Sequence, residues 1–313
     1  MGGKLRTLLL GILSASLWVA LVHPPAMVQA QTTIADHTGR QVRISDTSKI
    51  LSIGGDITEI LYAIGAESRI VAVDSTSQFP PRALKDKKDV GYLRALSTEG
   101  VLSVDAGLII ASDRAGPLEV VKALKASPVP YFEIREDFTP AGVAGKVRLV
   151  SRVVGLDSAG ETLATQIERD FAALEKLRAS IAKPVRALFV LNVANGRVTV
   201  GGADTSPDAM LKLAGAVNAA ASVSGFKPLS DEALVELQPD AIVTMRRSSG
   251  AHDVDQLATM KGMSGTPAVA NNRTIIMDGL YLLGFGPRTA AAALELMQGF
   301  YPDLAPARIE LGK

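Results

Sequence analysis

Gly100-Val101-Leu102-Ser103-Val104-Asp105-Ala106-Gly107-Leu108-Ile109-Ile110-Ala111-Ser112-Asp113-Arg114 reads as a helix end, an aspartate turn and an unbroken apolar strand running out into polar and basic residues. A strand with no polar alternation is buried on both faces, the pattern of a parallel sheet covered by helices. The pattern returns at Ala233-Leu234-Val235-Glu236-Leu237-Gln238-Pro239-Asp240-Ala241-Ile242-Val243-Thr244-Met245-Arg246-Arg247. Two more echoes accompany it. Gly54-Gly55-Asp56 opens a helix stopping at Gly65-Ala66, and Gly201-Gly202-Ala203-Asp204 precedes one stopping at Gly215-Ala216. Arg69-Ile70-Val71-Ala72-Val73-Asp74 is echoed by Arg273-Thr274-Ile275-Ile276-Met277-Asp278. Together they predict an α/β fold of two related, Rossmann-like lobes.

The join between the lobes is helical. From Pro140, Val147, Val150, Val153 and Val154 recur at helical spacing; Gly155-Leu156-Asp157 interrupts; Leu163, Ile167, Phe171, Leu174 and Leu177 resume the rhythm until Pro184. At ~1.5 Å per residue the second segment spans roughly 35 Å, enough to bridge two domains. The expected division is a first lobe at 31–139, a helical region with the backbone helix at 140–183 and a second lobe at 184–313. Thr33 to Ile44 reads as a hairpin at the edge of the first lobe.

Residues 1–30 stand apart. Lys4 and Arg6 precede an almost wholly apolar run from Leu8 to Val22, and Val28-Gln29-Ala30 suits a cleavage site. This is the pattern of a secretory signal peptide, with Gln31 as the expected mature start and the periplasm as the compartment. Losing two of the 33 basic residues leaves 31 against 32 acidic ones, net −1, and no basic tract suits a nucleic acid. Trp18, the one tryptophan, leaves with the leader, and cysteine is absent throughout. Without disulfides the cores must hold the fold, and no thiol is present for a lipid anchor. The expectation is a soluble, unlipidated monomer with no stable membrane insertion.

Ligands of open α/β sheets bind beyond the carboxyl ends of strands, and two facing lobes bring those ends to one cleft. The candidate positions are Ser75 to Phe79, Tyr92 with Arg94, Ser112 to Arg114, Met245 to Arg247 and Gly279 to Tyr281. If the segment at Tyr92 is extended, Tyr92 and Arg94 face one side together, a phenol beside a permanent cation. Catalytic chemistry finds little to use. There is no cysteine nucleophile, G-x-S-x-G elbow, P-loop or H-E-x-x-H, and beyond the leader only His37 and His252. A binding protein is expected, not an enzyme.

Four segments then make a resemblance specific: Ile53-Gly54-Gly55-Asp56-Ile57-Thr58-Glu59-Ile60-Leu61-Tyr62-Ala63-Ile64-Gly65, Val73-Asp74-Ser75-Thr76-Ser77, Val90-Gly91-Tyr92-Leu93-Arg94-Ala95-Leu96-Ser97-Thr98-Glu99-Gly100 and Asp204-Thr205-Ser206-Pro207-Asp208-Ala209-Met210. Across nearly the whole mature chain the sequence resembles periplasmic haem-binding proteins of ABC-type haem importers. The segment containing Tyr92 is the most discriminating; the Thr58-Glu59-Ile60 helix also occurs among siderophore and cobalamin binders.

The resemblance implies a helix-hinged, bilobed receptor that carries ferric haem b in its cleft to an inner-membrane ABC permease dimer. Tyr92 matches the tyrosinate iron ligand and Arg94 the arginine that hydrogen-bonds its oxygen. A free phenol titrates near ~10, so a neighbouring cation helps it bind Fe(III) at neutral pH; tyrosine is an established axial haem ligand. Arg246 and Arg247, at the matching strand end of the far lobe, either approach the haem or form a solvated basic turn. Phe79, Met245, Tyr281 and Leu282 are apolar walls of the site or packing residues. Related receptors dock one acidic residue per lobe, near the start of matching helices, onto permease arginines. Glu59 is the match in the first lobe and Glu232, ahead of Glu236, in the second. The alternative cargo is cobalamin or a ferric siderophore, for which the mature chain lacks a tryptophan platform and a dense basic cluster.

Overall fold

The computed structural model describes residues 32–246, 257 and 259–304 of the 313-residue chain. β1 (Thr32–Ala35) and β2 (Gln41–Ile44) form the expected hairpin, though as a two-stranded sheet of their own. Five parallel strands follow: β3 (Ile50–Ile53), β4 (Ile70–Val73), β5 (Lys88–Asp89), β6 (Leu108–Ser112) and β7 (Tyr131–Ile134), in the spatial order β5-β4-β3-β6-β7. β3, β6 and β7 are buried at every residue, as predominantly apolar strands covered on both faces require. Their connections carry α1 (Gly55–Ala63), α2 (Arg82–Asp86), α3 (Thr98–Leu102) and α4 (Leu118–Ala126).

After β7 come α5 (Pro140–Val153) and α6 (Asp157–Arg178). The second lobe holds β8 (Arg186–Ala194), β9 (Arg197–Gly201), α7 (Ser206–Leu213), β10 (Val217–Asn218), β11 (Phe226–Leu229), α8 (Asp231–Leu237) and β12 (Ala241–Met245). It continues through α9 (Lys261–Ser264), α10 (Pro267–Ala270), β13 (Thr274–Met277), α11 (Gly279–Leu283) and α12 (Thr289–Phe300). α5 packs on α1 and α6, and α6 on α7 and α12, so this pair carries the chain from one lobe to the other. One apolar cluster joins Ile50 and Phe132 of the first sheet, Val147 and Ile167 of the helices, and Phe189 and Met277 of the second sheet. Among the described residues no helix is long and apolar enough to cross a membrane.

The second sheet, ordered β11-β9-β8-β12-β13 with β10 beside β8, is mixed. Its β8–β9 hairpin turns on Asn195 (φ 51) and Gly196 (φ 69), the dipeptide that best tolerates two successive left-handed residues. Two echoes hold in three dimensions. Gly65 (φ 81) and Gly215 (φ 78) end α1 and α7 alike, with Ala66 N donating to Leu61 O at 2.8 Å and Ala216 N to Leu211 O at 2.9 Å. α3 leads into β6 as α8 leads into β12, and both strands lie beside the first strand of their lobe. The third echo fails. β4 lies directly beside β3, whereas β13 lies beyond β12; the parallel strand beside β8 that follows the Gly215 stop is β10.

Candidate functional site

Tyr92 sits on a turn tied down by its backbone. Asp89 Oδ1 accepts from Gly91 N at 2.8 Å, Gly91 O from Ser75 N at 2.9 Å, and Val73 O from Val90 N at 2.9 Å. Ala95 N then donates to Tyr92 O at 2.8 Å, while Leu93 O and Leu96 N both bond Gly116, just beyond β6. The turn is thus strapped across the carboxyl ends of β4 and β6. This corrects the extended reading: Tyr92 opens a β-turn with Arg94 as its third residue, so strand alternation does not govern where their side chains lie. Both are exposed, Tyr92 at 47%, and neither side chain has a hydrogen-bonding partner among the described residues.

The neighbouring loop is built on Asp74. Buried beneath it, the Asp74 carboxylate accepts from Gly54 N, from the backbone and hydroxyl of Thr76 and from the hydroxyl of Ser77. Burial raises its pKa against the pull of those donors. The loop presents Phe79, and over that ring, 3.6 Å from its centroid, lies the guanidinium of Arg288. Arg288 donates from Nε and Nη2 to the two oxygens of Glu59, each at 2.9 Å, and lies 4.9 Å from the Tyr281 ring. Burial lifts the Glu59 carboxyl above its usual range although Arg288 opposes the shift; burial, with the Glu295 charge, pushes the Tyr281 phenol up to about 12.

The first turn of α1 also meets α5. Lys146 Nζ, wholly buried, donates to Asp56 and, at 2.7 Å, to Glu136, and Glu136 accepts from Ser112 Oγ at 3.1 Å. Burial and then the Asp56 charge push the Glu136 carboxyl up to about 7 despite Lys146. Phe138, beyond β7, meets Phe285 of the second lobe at 4.8 Å between centroids. The segments after β3, β4 and β7 therefore converge on the segment after β13: the carboxyl ends of the two sheets share one junction.

Phe79 and Tyr281 are brought together, through Arg288. With Glu59, Tyr62 and Leu163 they line a groove of about 1200 Å³ along α6, whose wall includes none of Tyr92, Arg94 or Arg246. Arg246 is exposed beyond β12, its backbone N bonded to Met277 O at 2.7 Å, and among the described residues no hydrogen bond joins it to Tyr92. Arg247 lies outside the described residues. Leu282 is buried in the core, and Met245, half-buried, packs against that core.

Glu59 needs correction as a docking residue. Its side chain is 6% exposed and both oxygens are engaged by Arg288, leaving nothing to offer a permease arginine. The acid that matches Glu232 is Glu99. Ser97 caps α3 by accepting from Gly100 N and Ser230 caps α8 by accepting from Ala233 N; each glutamate is the second helical residue and is exposed. The signal was in the sequence, since Ser97-Thr98-Glu99 and Ser230-Asp231-Glu232 precede β6 and β12 by the same spacing. Arg288, the other unforeseen residue, lies just past the window that ended at Tyr281.

The family model for periplasmic binding proteins matches residues 50–280, most of the chain. The chain belongs to the periplasmic binding protein family. Within it, the apo structure of the periplasmic heme-binding protein RhuT from Roseiflexus sp. RS-1 is similar at a TM-score of 0.78 and 36% identity, covering 82% of this chain and 99% of that one. The uncharacterized ABC transporter substrate-binding lipoprotein YvrC of Bacillus subtilis (strain 168) is 26% identical over 275 residues, 87% of this chain and 86% of its own length. A vitamin B12-binding protein of Vibrio parahaemolyticus is 24% identical over 253 residues, 80% of this chain and 89% of its own.

Proposed function

We propose that this substrate-binding protein carries ferric haem b across the periplasm to an inner-membrane ABC permease, holding the iron through the Tyr92 phenolate. One observation carries the site. Of five tyrosines, Tyr131 is buried, Tyr281 lies against Arg288, Tyr301 bonds Val185 N and Gly215 O, and Tyr62 has its hydroxyl buried with Arg82 over its ring. Tyr92 alone offers an exposed, unpartnered phenol, and it does so on a turn at the strand ends. His37, a competing iron ligand, is bonded to Glu133 at 2.9 Å. Arg94, two residues on, supplies the cation that an Fe(III)-bound phenolate needs.

Relatives named for vitamin B12 keep cobalamin as the second reading; the higher identity to RhuT, 36% against 24%, favours haem. Docking falls to Glu99 and Glu232, one per lobe, each followed three residues on by an exposed aliphatic side chain, Leu102 or Val235. YvrC is a lipoprotein, but this chain has no cysteine to take a lipid, in keeping with a free periplasmic carrier.

The test is a titration of purified protein with hemin and, separately, cyanocobalamin. A Soret band with the charge-transfer feature of a high-spin ferric tyrosinate is expected, lost in Tyr92→Ala. Tight cyanocobalamin binding with weak, Tyr92-independent hemin binding would instead make this a cobalamin carrier.

A further inference from the structure

Arg288 belongs to the second lobe, yet Glu59 and Phe79, which it grips, belong to the first. Its two nitrogens pair with two separate carboxylate oxygens, and its flat face covers an aromatic ring. Both contacts need a planar guanidinium, so they fix orientation as well as distance. An exposed ion pair would constrain little, but Glu59 is held away from water, where such a pair is screened less. The backbone around it is closed up to match. A Cβ on Gly55 would lie 2.2 Å from Thr76 O and 2.7 Å from Leu280 Cδ1, so α1, the Thr76 loop and α11 interlock with no room for a side chain. Phe138 against Phe285 adds a second cross-lobe contact.

All of these contacts are made within the chain itself. Were α6 and its neighbours the sole connection, the lobes would be free to swing about it. We propose that Glu59, Arg288 and Phe79 form an inter-lobe latch that sets the spacing of the lobes before any cargo arrives, with Arg288 as its positioning residue. The cleft is then pre-shaped, and loading changes the relation of the lobes little.

The absence of cysteine makes this directly measurable. Leu118→Cys and Val217→Cys place one spin label on each lobe at exposed positions away from the junction. Pulsed electron–electron distance measurements on the ligand-free protein should give one narrow distribution that hemin leaves in place. Glu59→Gln keeps the shape of the carboxylate but not its charge, and Arg288→Lys keeps the charge but neither fork nor stack; each should broaden the distribution toward longer distances, as should Arg288→Ala. A distribution unchanged in all three variants overturns the latch. So does a ligand-free wild type that is already broad, or one that hemin moves to a distinct shorter distance. Should Arg288→Ala lose its circular dichroism, Glu59→Gln carries the test. Because the variants are compared with the wild type on ligand-free protein, that comparison does not depend on haem being the ligand, and Tyr92→Ala should match the wild-type distribution.

Discussion

At the scale of single residues, the proposed haem site divides the work of holding iron between Tyr92 and Arg94. Tyr92→Phe keeps the ring and leaves the backbone ties of the turn intact, so what it removes is the oxygen alone. Hemin should then bind without the tyrosinate spectrum. Arg94→Ala should keep that spectrum but weaken binding, because a hydrogen bond to a charged group contributes about 1.5–3 kcal/mol, roughly ten- to a hundredfold in affinity. Parallel hemin titrations of the two variants check both; a Tyr92→Phe spectrum like the wild type would move the ligand elsewhere. Tyr92 stands out as a candidate in the sequence because its neighbours form a local motif. Arg288 does not, because its partner Glu59 lies 229 positions away and such a pairing leaves no local pattern. The same gap misled the reading of Glu59: a glutamate early in an amphipathic helix looks solvent-facing until the second lobe is placed over it.

Secondary-structure elements were read best where burial alone dictates composition. β3 and β6 are apolar but for Ser52 and Ser112 because both faces are covered, and Gly65 and Gly215 mark helix ends because the left-handed residue there favours glycine. The third echo misled for the same reason: an apolar run ending in aspartate identifies a covered parallel strand, not its place in the sheet. The buried group at the start of α1 gives a pH prediction. Two carboxylates, Asp56 and Glu136, share one ammonium, Lys146, so one negative charge is in excess and Glu136 keeps its proton up to about 7. Unfolded glutamate releases it near ~4.3. Between those values the native chain binds more protons than the unfolded one, so the stability this group contributes is complete below ~4.3 and is lost as pH rises through about 7. Glu136→Gln lacks this titration. Relative to wild type it should gain stability between about pH 5 and about pH 8, by at most about 3 kcal/mol. Urea midpoints of both proteins at the two pH values measure it, and a difference flat in pH would contradict the raised carboxyl. Lys146→Ala, by contrast, strands two buried carboxylates and should cost about 3–5 kcal/mol at neutral pH.

For the molecule as a whole, the distance between Glu99 and Glu232 matters more than either residue. In the proposed docking, a permease dimer offers two copies of one basic site, and the carrier meets them with one acid on each lobe. Once the first acid has docked, the second meets its partner at an effective concentration set by the lobe spacing, and a fixed spacing avoids the entropy of finding it. Glu99→Ala or Glu232→Ala should therefore weaken capture by the permease in proteoliposomes, and the double variant should weaken it by about the product of the two single effects or more. Capture by the wild type should fall with added salt, since both acids are exposed and screened beyond ~8–10 Å. Hemin titrations of all three variants should match the wild type, because both glutamates are exposed and, among the described residues, neither shares a hydrogen bond or ion pair with Tyr92, Arg94 or Arg288. Loosening the latch by Glu59→Gln should lower capture with Glu99 and Glu232 intact, since it blurs the spacing between them. If Glu59→Gln leaves capture unchanged while broadening the lobe distances, the permease accepts a range of spacings and docking does not depend on a fixed one.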